Sequence, residues 1–93
     1  MTTLIVFHEV EDGQAWASAW QKIVGSRHQM FAQINVTART FRDSDNKNLT
    51  GVILDVPDME QFKSFMESDE AQNAMQEDGI KIETLRILNE FTP

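Results

Sequence analysis

Apolar and polar positions along this chain follow two rhythms, one of period two and one of helical period. Leu4–Phe7 is a β-branched and aromatic run that reads as a first strand, prolonged by His8 and Val10. The period then changes. Trp16, Trp20, Ile23 and Val24 recur at helical spacing with Ala19 on the same side, which predicts a helix from Gly13 to Ser26. Asp12 stands at its start, where a carboxylate accepts from the free amides of the first turn and suits the helix dipole. The pattern leaves the far end of this helix open, because Arg27–Ala32 fits either a last turn or a loop. Ile34, Val36, Ala38 and Thr40 alternate with Asn35, Thr37, Arg39 and Phe41, giving a second strand. Asp43–Asn48 is a polar turn, and Leu49–Val56 is a third strand that closes a hairpin. Asp58 caps another helix, with Gln61 placed to reach back and Met59, Phe62, Phe65 and Met66 as its apolar stripe. Ser68-Asp69-Glu70 re-caps the chain into a short helix carrying Ala71, Ala74 and Met75. Gly79 fits a left-handed helix end, and Lys81–Phe91 alternates again as a fourth strand.

The order βαββαβ is that of a split βαβ, ferredoxin-like α+β fold: a four-stranded antiparallel sheet with two helices on one face. No linker or low-complexity stretch interrupts it, so residues 1–93 are expected to form one domain. The strands carry apolar residues of both parities, Leu4 and Val6 beside Ile5 and Phe7, Leu85 and Ile87 beside Ile82 and Leu88. An antiparallel sheet with one wet face should alternate cleanly instead. The second face is therefore expected to be covered by another copy of the chain, in a homodimer with its sheets packed face to face.

Composition narrows the partners. A chain of 93 residues buries only about two-thirds of the surface its unfolded form exposes, which leaves apolar area for a partner or a ligand. Eight basic against fifteen acidic residues give a net charge of −7, so nucleic acid and anionic membranes are not expected partners. With no cysteine there is no disulfide framework and no thiol nucleophile. No basic, apolar leader and no membrane-length segment is visible, and a cytoplasmic location is the expectation.

Candidate chemistry is sparse. His8 is the one strand histidine, and imidazole serves as acid or base near neutral pH; its structural alternative is a strand-end histidine bonded to backbone. His28 lies near a helix end among polar residues and is expected to be solvated. Trp16 and Trp20, with Phe62, Phe65, Met66 and Met75, suit either plain core or the wall of an apolar pocket. Arg39 on the second strand is a candidate partner for a ligand's acid group, with a surface pair to Glu83 as the alternative. Glu60, Glu67, Asp69, Glu70, Glu77 and Asp78 read as a solvated helix face. No metal-ligand spacing, glycine-rich phosphate loop or serine elbow is present, and no metal or cofactor is expected.

The spaced pattern His8-x-Val10-x-Asp12-x-x-x-Trp16-x-x-x-Trp20 resembles the opening of the small dimeric α/β-barrel proteins. Val56-Pro57-Asp58-Met59-Glu60-Gln61-Phe62, then Ser68-Asp69-Glu70 and Met75 before Gly79, is similar to their second half. That group includes cofactor-free monooxygenases acting on polycyclic aromatics, lactone isomerases, polyketide cyclases and heme-degrading enzymes. The resemblance implies a pocket between helices and sheet, open at one end, with His8 facing it and Arg39 at a commonly polar position. The chain departs from the group before strand two, where Gln33-Ile34-Asn35 stands in place of a frequent glycine. Residues and resemblance together lead to a homodimer binding an apolar or aromatic small molecule, such as a long-chain carboxylate or a flat ring system. His8 and Arg39 would supply its polar contacts, and Trp16, Trp20, Phe62 and Met66 its walls. The alternatives are a cofactor-independent monooxygenase, cyclase or isomerase using His8 as acid or base, and a structural dimer with a filled core.

Overall fold

In the computed structural model, which describes residues 1–93, every α-helix begins at a side chain that accepts from first-turn amides. Asp12 caps α1 (Gly13–Gln21), Ser26 caps α2 (Arg27–Ala32), Asp58 caps α3 (Met59–Met66) and Ser68 caps α4 (Asp69–Glu77). The strands are β1 (Thr2–Glu9), β2 (Thr37–Arg42), β3 (Leu49–Val56) and β4 (Arg86–Asn89), with a 3-10 turn at Ile82–Thr84 before β4. They form one antiparallel sheet in the order β2-β3-β1-β4. This is the ferredoxin-like arrangement, with the re-cap at Ser68 separating α3 from α4 as expected and the chain after α1 opening a further short helix, α2.

The expected helix through Ser26 stops five residues early. Lys22 turns extended, Gly25 adopts φ +74°, and Ser26 opens a new helix by accepting from the Gln29 amide at 3.2 Å. Ile23 and Val24 are consequently 90% and 81% exposed rather than part of the apolar stripe. The glycine and the serine cap outweigh two apolar residues at helical spacing, and the break brings Met30 and Phe31 over the sheet. Strand two also begins later than its alternation predicts. Ile34 and Val36 are buried, but Asn35 between them takes φ +59°, a value asparagine tolerates better than most residues. The expected fourth strand is shortened because the Thr84 hydroxyl accepts from the Glu9 amide and the Lys81 amide donates to the Glu9 carbonyl. That stretch spends the edge of β1 on a turn before the ladder resumes.

Gly13 is fixed by a close approach. A Cβ there would lie 1.9 Å from the Lys47 carbonyl oxygen, and the Gly13 amide donates to Asn48 Oδ1 at 2.7 Å. The polar turn of the β2–β3 hairpin is thereby fastened to the start of α1.

Strand parity sets the layers. Leu4, Val6 and His8 on β1, with Val52, Leu54 and Val56 on β3, turn inward under the helices. Burial of each such aliphatic side chain contributes about 1.5–3 kcal/mol, so a one-residue slip would forfeit several at once. Ile5, Phe7, Ile53, Phe41 and Leu88 turn the other way. Register places Ile5 between Ile53 and Leu88, and Gly51 between Phe7 and Phe41, so this outer face is a continuous apolar strip.

Candidate ligand-binding cavity

The helix layer does not fill the space it covers. Between it and the sheet lies a cavity of about 540 Å³, with 17 of its 24 lining residues hydrophobic. Leu4, Val6 and His8 of β1 and Val52 and Leu54 of β3 form its floor. Trp16 and Trp20 of α1, Met30 and Phe31 of α2, and Phe62 and Met66 of α3 form its walls. The exposed members of the lining, Lys63, Glu67, Gln72, Ile87 and Asn89, mark where it reaches solvent, between α3, α4 and the edge strand β4.

An aromatic series runs along one wall. His8 meets Trp16 edge-on with ring centroids 6.1 Å apart, and Trp16 lies 6.2 Å from Trp20. Trp20 stacks on Phe31 at 6.0 Å, and Phe31 meets Phe65 edge-on at the same distance. The solvent-exposed His28 ring stands edge-to-face on Trp20 at 4.9 Å. Trp20 Nε1 is sealed from solvent with no acceptor, a cost of about 1–3 kcal/mol that the surrounding ring packing must offset.

His8 is only 4% exposed, and its proton can be assigned. The Thr50 hydroxyl donates to the His8 carbonyl oxygen at 2.9 Å. A hydroxyl has one proton, so Thr50 Oγ1 must accept from the His8 Nδ1–H with which it is paired. The proton therefore sits on Nδ1. Nε2 makes no hydrogen bond within the chain and is not sealed off, so it opens on the cavity as a bare lone pair. Burial holds the His8 pKa below its usual 6.5, opposed by the pull of its own backbone carbonyl and of the Asp78 carboxylate. The imidazole is neutral at pH 7, the form in which it acts as a base or accepts a hydrogen bond.

The second polar feature is an ion pair. Asp78 is 7% exposed and takes a forked pair of bonds from Arg27, Nε to Oδ2 and Nη2 to Oδ1, both 2.8 Å. Arg27 Nη2 also reaches Glu77 at 3.2 Å. These carboxylates raise the Arg27 pKa, with Asp78 the main cause. The clamp ties the start of α2 to the end of α4. With Met30 and Ala74, Arg27 also lines a polar cleft of about 350 Å³, so these side chains separate the apolar cavity from it.

Five of the expected site residues, His8, Trp16, Trp20, Phe62 and Met66, come together around the cavity. Arg39 does not. Register sets it beside Ile53 on the outer face, across the sheet from His8, and no ion pair joins it to Glu83; Arg27 makes the only ion pairs in the molecule. Arg27 and Asp78 are the polar residues that sequence reasoning missed, and Asp78 is buried rather than part of the solvated helix face. One signal was present. A carboxylate just after the last turn of a helix is disfavoured by the dipole and calls for a cation nearby. No group of three or more histidine, aspartate or glutamate side chains is placed to hold a metal ion, and no helix is long and apolar enough to cross a membrane.

No family model matches the chain, and no curated protein does. Solved structures do. The crystal structure of an antibiotic biosynthesis monooxygenase is similar with a TM-score of 0.68 at 9% identity, over 100% of this chain and 99% of its own. A Nitrosomonas europaea protein, named provisionally as an antibiotic biosynthesis monooxygenase, gives 0.71 at 11% identity over 99% and 98%. An ethyl tert-butyl ether d (EthD) family protein from Bacillus halodurans gives 0.55 at 17% identity over 100% and 99%. At such identities the likeness establishes the fold: the chain has the ferredoxin-like α+β architecture of the antibiotic biosynthesis monooxygenase-type structures.

Proposed function

We propose that this protein is a homodimer that binds an apolar or aromatic small molecule in the helix–sheet cavity of each subunit. The observation that carries the reading is a cavity of about 540 Å³ with mostly apolar walls and one bare imidazole nitrogen opening into it. Ligand sites have this size and this ratio of apolar wall to directing polar group. A structural module with a filled core would have side chains where this space is. Both tryptophans of the chain line the cavity, so they report on it directly. Titration with flat ring compounds and long-chain carboxylates is expected to give a saturable change in tryptophan emission with some member of the panel. Emission unchanged across the whole panel overturns the reading.

The dimer rests on the outer face of the sheet. Ile5, Phe7, Ile53, Phe41 and Leu88 form its apolar strip, flanked on the same face by Arg39, Arg86, Asp55 and Glu9. A two-fold axis sets each flank of such a surface against the other, so both charge signs can find partners in an identical copy. A stable interface needs roughly 800 Å² per partner, which one face of a four-stranded sheet can supply. Light scattering at micromolar concentration is expected to give twice the subunit mass, and Phe7→Lys to return it to one subunit with the circular dichroism retained. A wild-type mass of one subunit sinks the dimer.

A second reading is favoured by the Thr50–His8 pairing: an enzyme that needs no cofactor, with His8 Nε2 as general base. A ring held in one tautomer with its basic nitrogen on the cavity is arranged for proton transfer. The names of two structural neighbours, antibiotic biosynthesis monooxygenases, agree with this reading.

A further inference from the structure

We infer that the cavity selects uncharged ligands, and that Asp78 sets this selection by taking the charge of Arg27 out of play. The inference rests on the cavity being a ligand site. Four lining residues carry charge: Arg27, Asp78, Lys63 and Glu67. Lys63 and Glu67 are exposed at the mouth, where water and salt screen them. Arg27 is the one cation of the interior wall, and two of its nitrogens are already bound to carboxylates, by the fork to Asp78 and the contact to Glu77. One positive charge thus stands against the one buried carboxylate of Asp78, while Glu77 is exposed and lies outside the cavity lining. A carboxylate entering the cavity would shed its water and find the Arg27 charge already neutralised by Asp78, within a chain of net charge −7. A ligand cation fares little better, since Asp78 is spent on Arg27 and His8 is neutral. An uncharged apolar body loses no ionic hydration, and one hydroxyl or N–H donor on it can reach His8 Nε2. The long-chain carboxylate expected from the sequence is therefore the less suitable ligand. Asp78 caps the C-terminal end of α4, where the helix dipole opposes its charge, so it relies on Arg27 as firmly as it neutralises it.

The test uses N-phenyl-1-naphthylamine and its sulfonated counterpart 8-anilino-1-naphthalenesulfonate, two probes with the same ring system, one neutral and one anionic. Quenching of Trp16 and Trp20 reports entry into the cavity. The wild type is expected to bind the neutral probe at least tenfold more tightly than the sulfonate. Asp78→Asn combined with Glu77→Gln keeps an acceptor for Arg27 but frees its charge. It is expected to move the ratio tenfold or more toward the sulfonate, a gain that added salt erodes. Wild-type preference for the sulfonate, equal binding of the two, or a ratio unmoved in the folded double variant overturns the inference while leaving the cavity as a site. Failure of both probes to quench the tryptophans overturns the site and the selection together. If the double variant does not fold, the wild-type ratio and the ratio in Glu77→Gln, which alters an exposed side chain, decide the matter.

Discussion

Arg27→Met is expected to destabilise the protein by about 3–5 kcal/mol, because it leaves the Asp78 carboxylate buried without a counter-charge. A domain of this size has only about 5–15 kcal/mol in total, so the variant should melt many degrees lower or fail to accumulate. Urea unfolding followed by circular dichroism measures the loss. The paired substitution Arg27→Met with Asp78→Leu should recover most of it, since two apolar side chains leave no charge stranded. Arg27→Lys should fall between, because a lysine keeps the charge but cannot make the fork through Nε and Nη2. A loss below about 1 kcal/mol for Arg27→Met would mean that the pair behaves as an exposed surface bridge.

The enzymatic reading carries the other large effect. With a substrate that the wild type turns over, His8→Ala is expected to lower the rate about 10²–10⁴-fold while the variant still folds and keeps the dimer mass. Thr50 still donates to the carbonyl of residue 8 in that variant, so the β1–β3 ladder keeps its local bond. An unchanged rate removes His8 from the chemistry and leaves binding as the whole function of the cavity.

Much of this architecture could be read because it rests on neighbours in sequence. Asp12, Asp58 and Ser68 cap helices through amides two or three residues away, and Gly79 takes φ +70° at the end of α4. The β3 boundaries, Leu49 and Val56, fall where alternation and flanking turn residues put them. The misplacements share a different cause. Ile23 and Val24 keep helical spacing, yet whether a helix runs through them depends on Gly25 and Ser26 and on the need to lay Met30 and Phe31 over the sheet. Arg39 was excluded from the cavity by parity that the sequence already displayed, since it alternates with Ala38 and shares a face with Phe41. The Arg27–Asp78 pair spans 51 positions. Only tertiary packing of α2 against the end of α4 makes it: the carboxylate at the helix end calls for a cation, but nothing local names Arg27 as the one.

The two bonds of Thr50 have one more consequence, which concerns proton traffic. Its hydroxyl hydrogen is committed to the His8 carbonyl, and its oxygen is occupied by Nδ1–H. The back of the imidazole is thus a closed end, with no relay through which a proton could pass to bulk water. A proton taken up by His8 must arrive and depart through Nε2, on the cavity side. Under the enzymatic reading, such a single-port base suits reactions that return the proton to another atom of the same substrate, a shift of hydrogen within one molecule, better than those that discharge it into solvent.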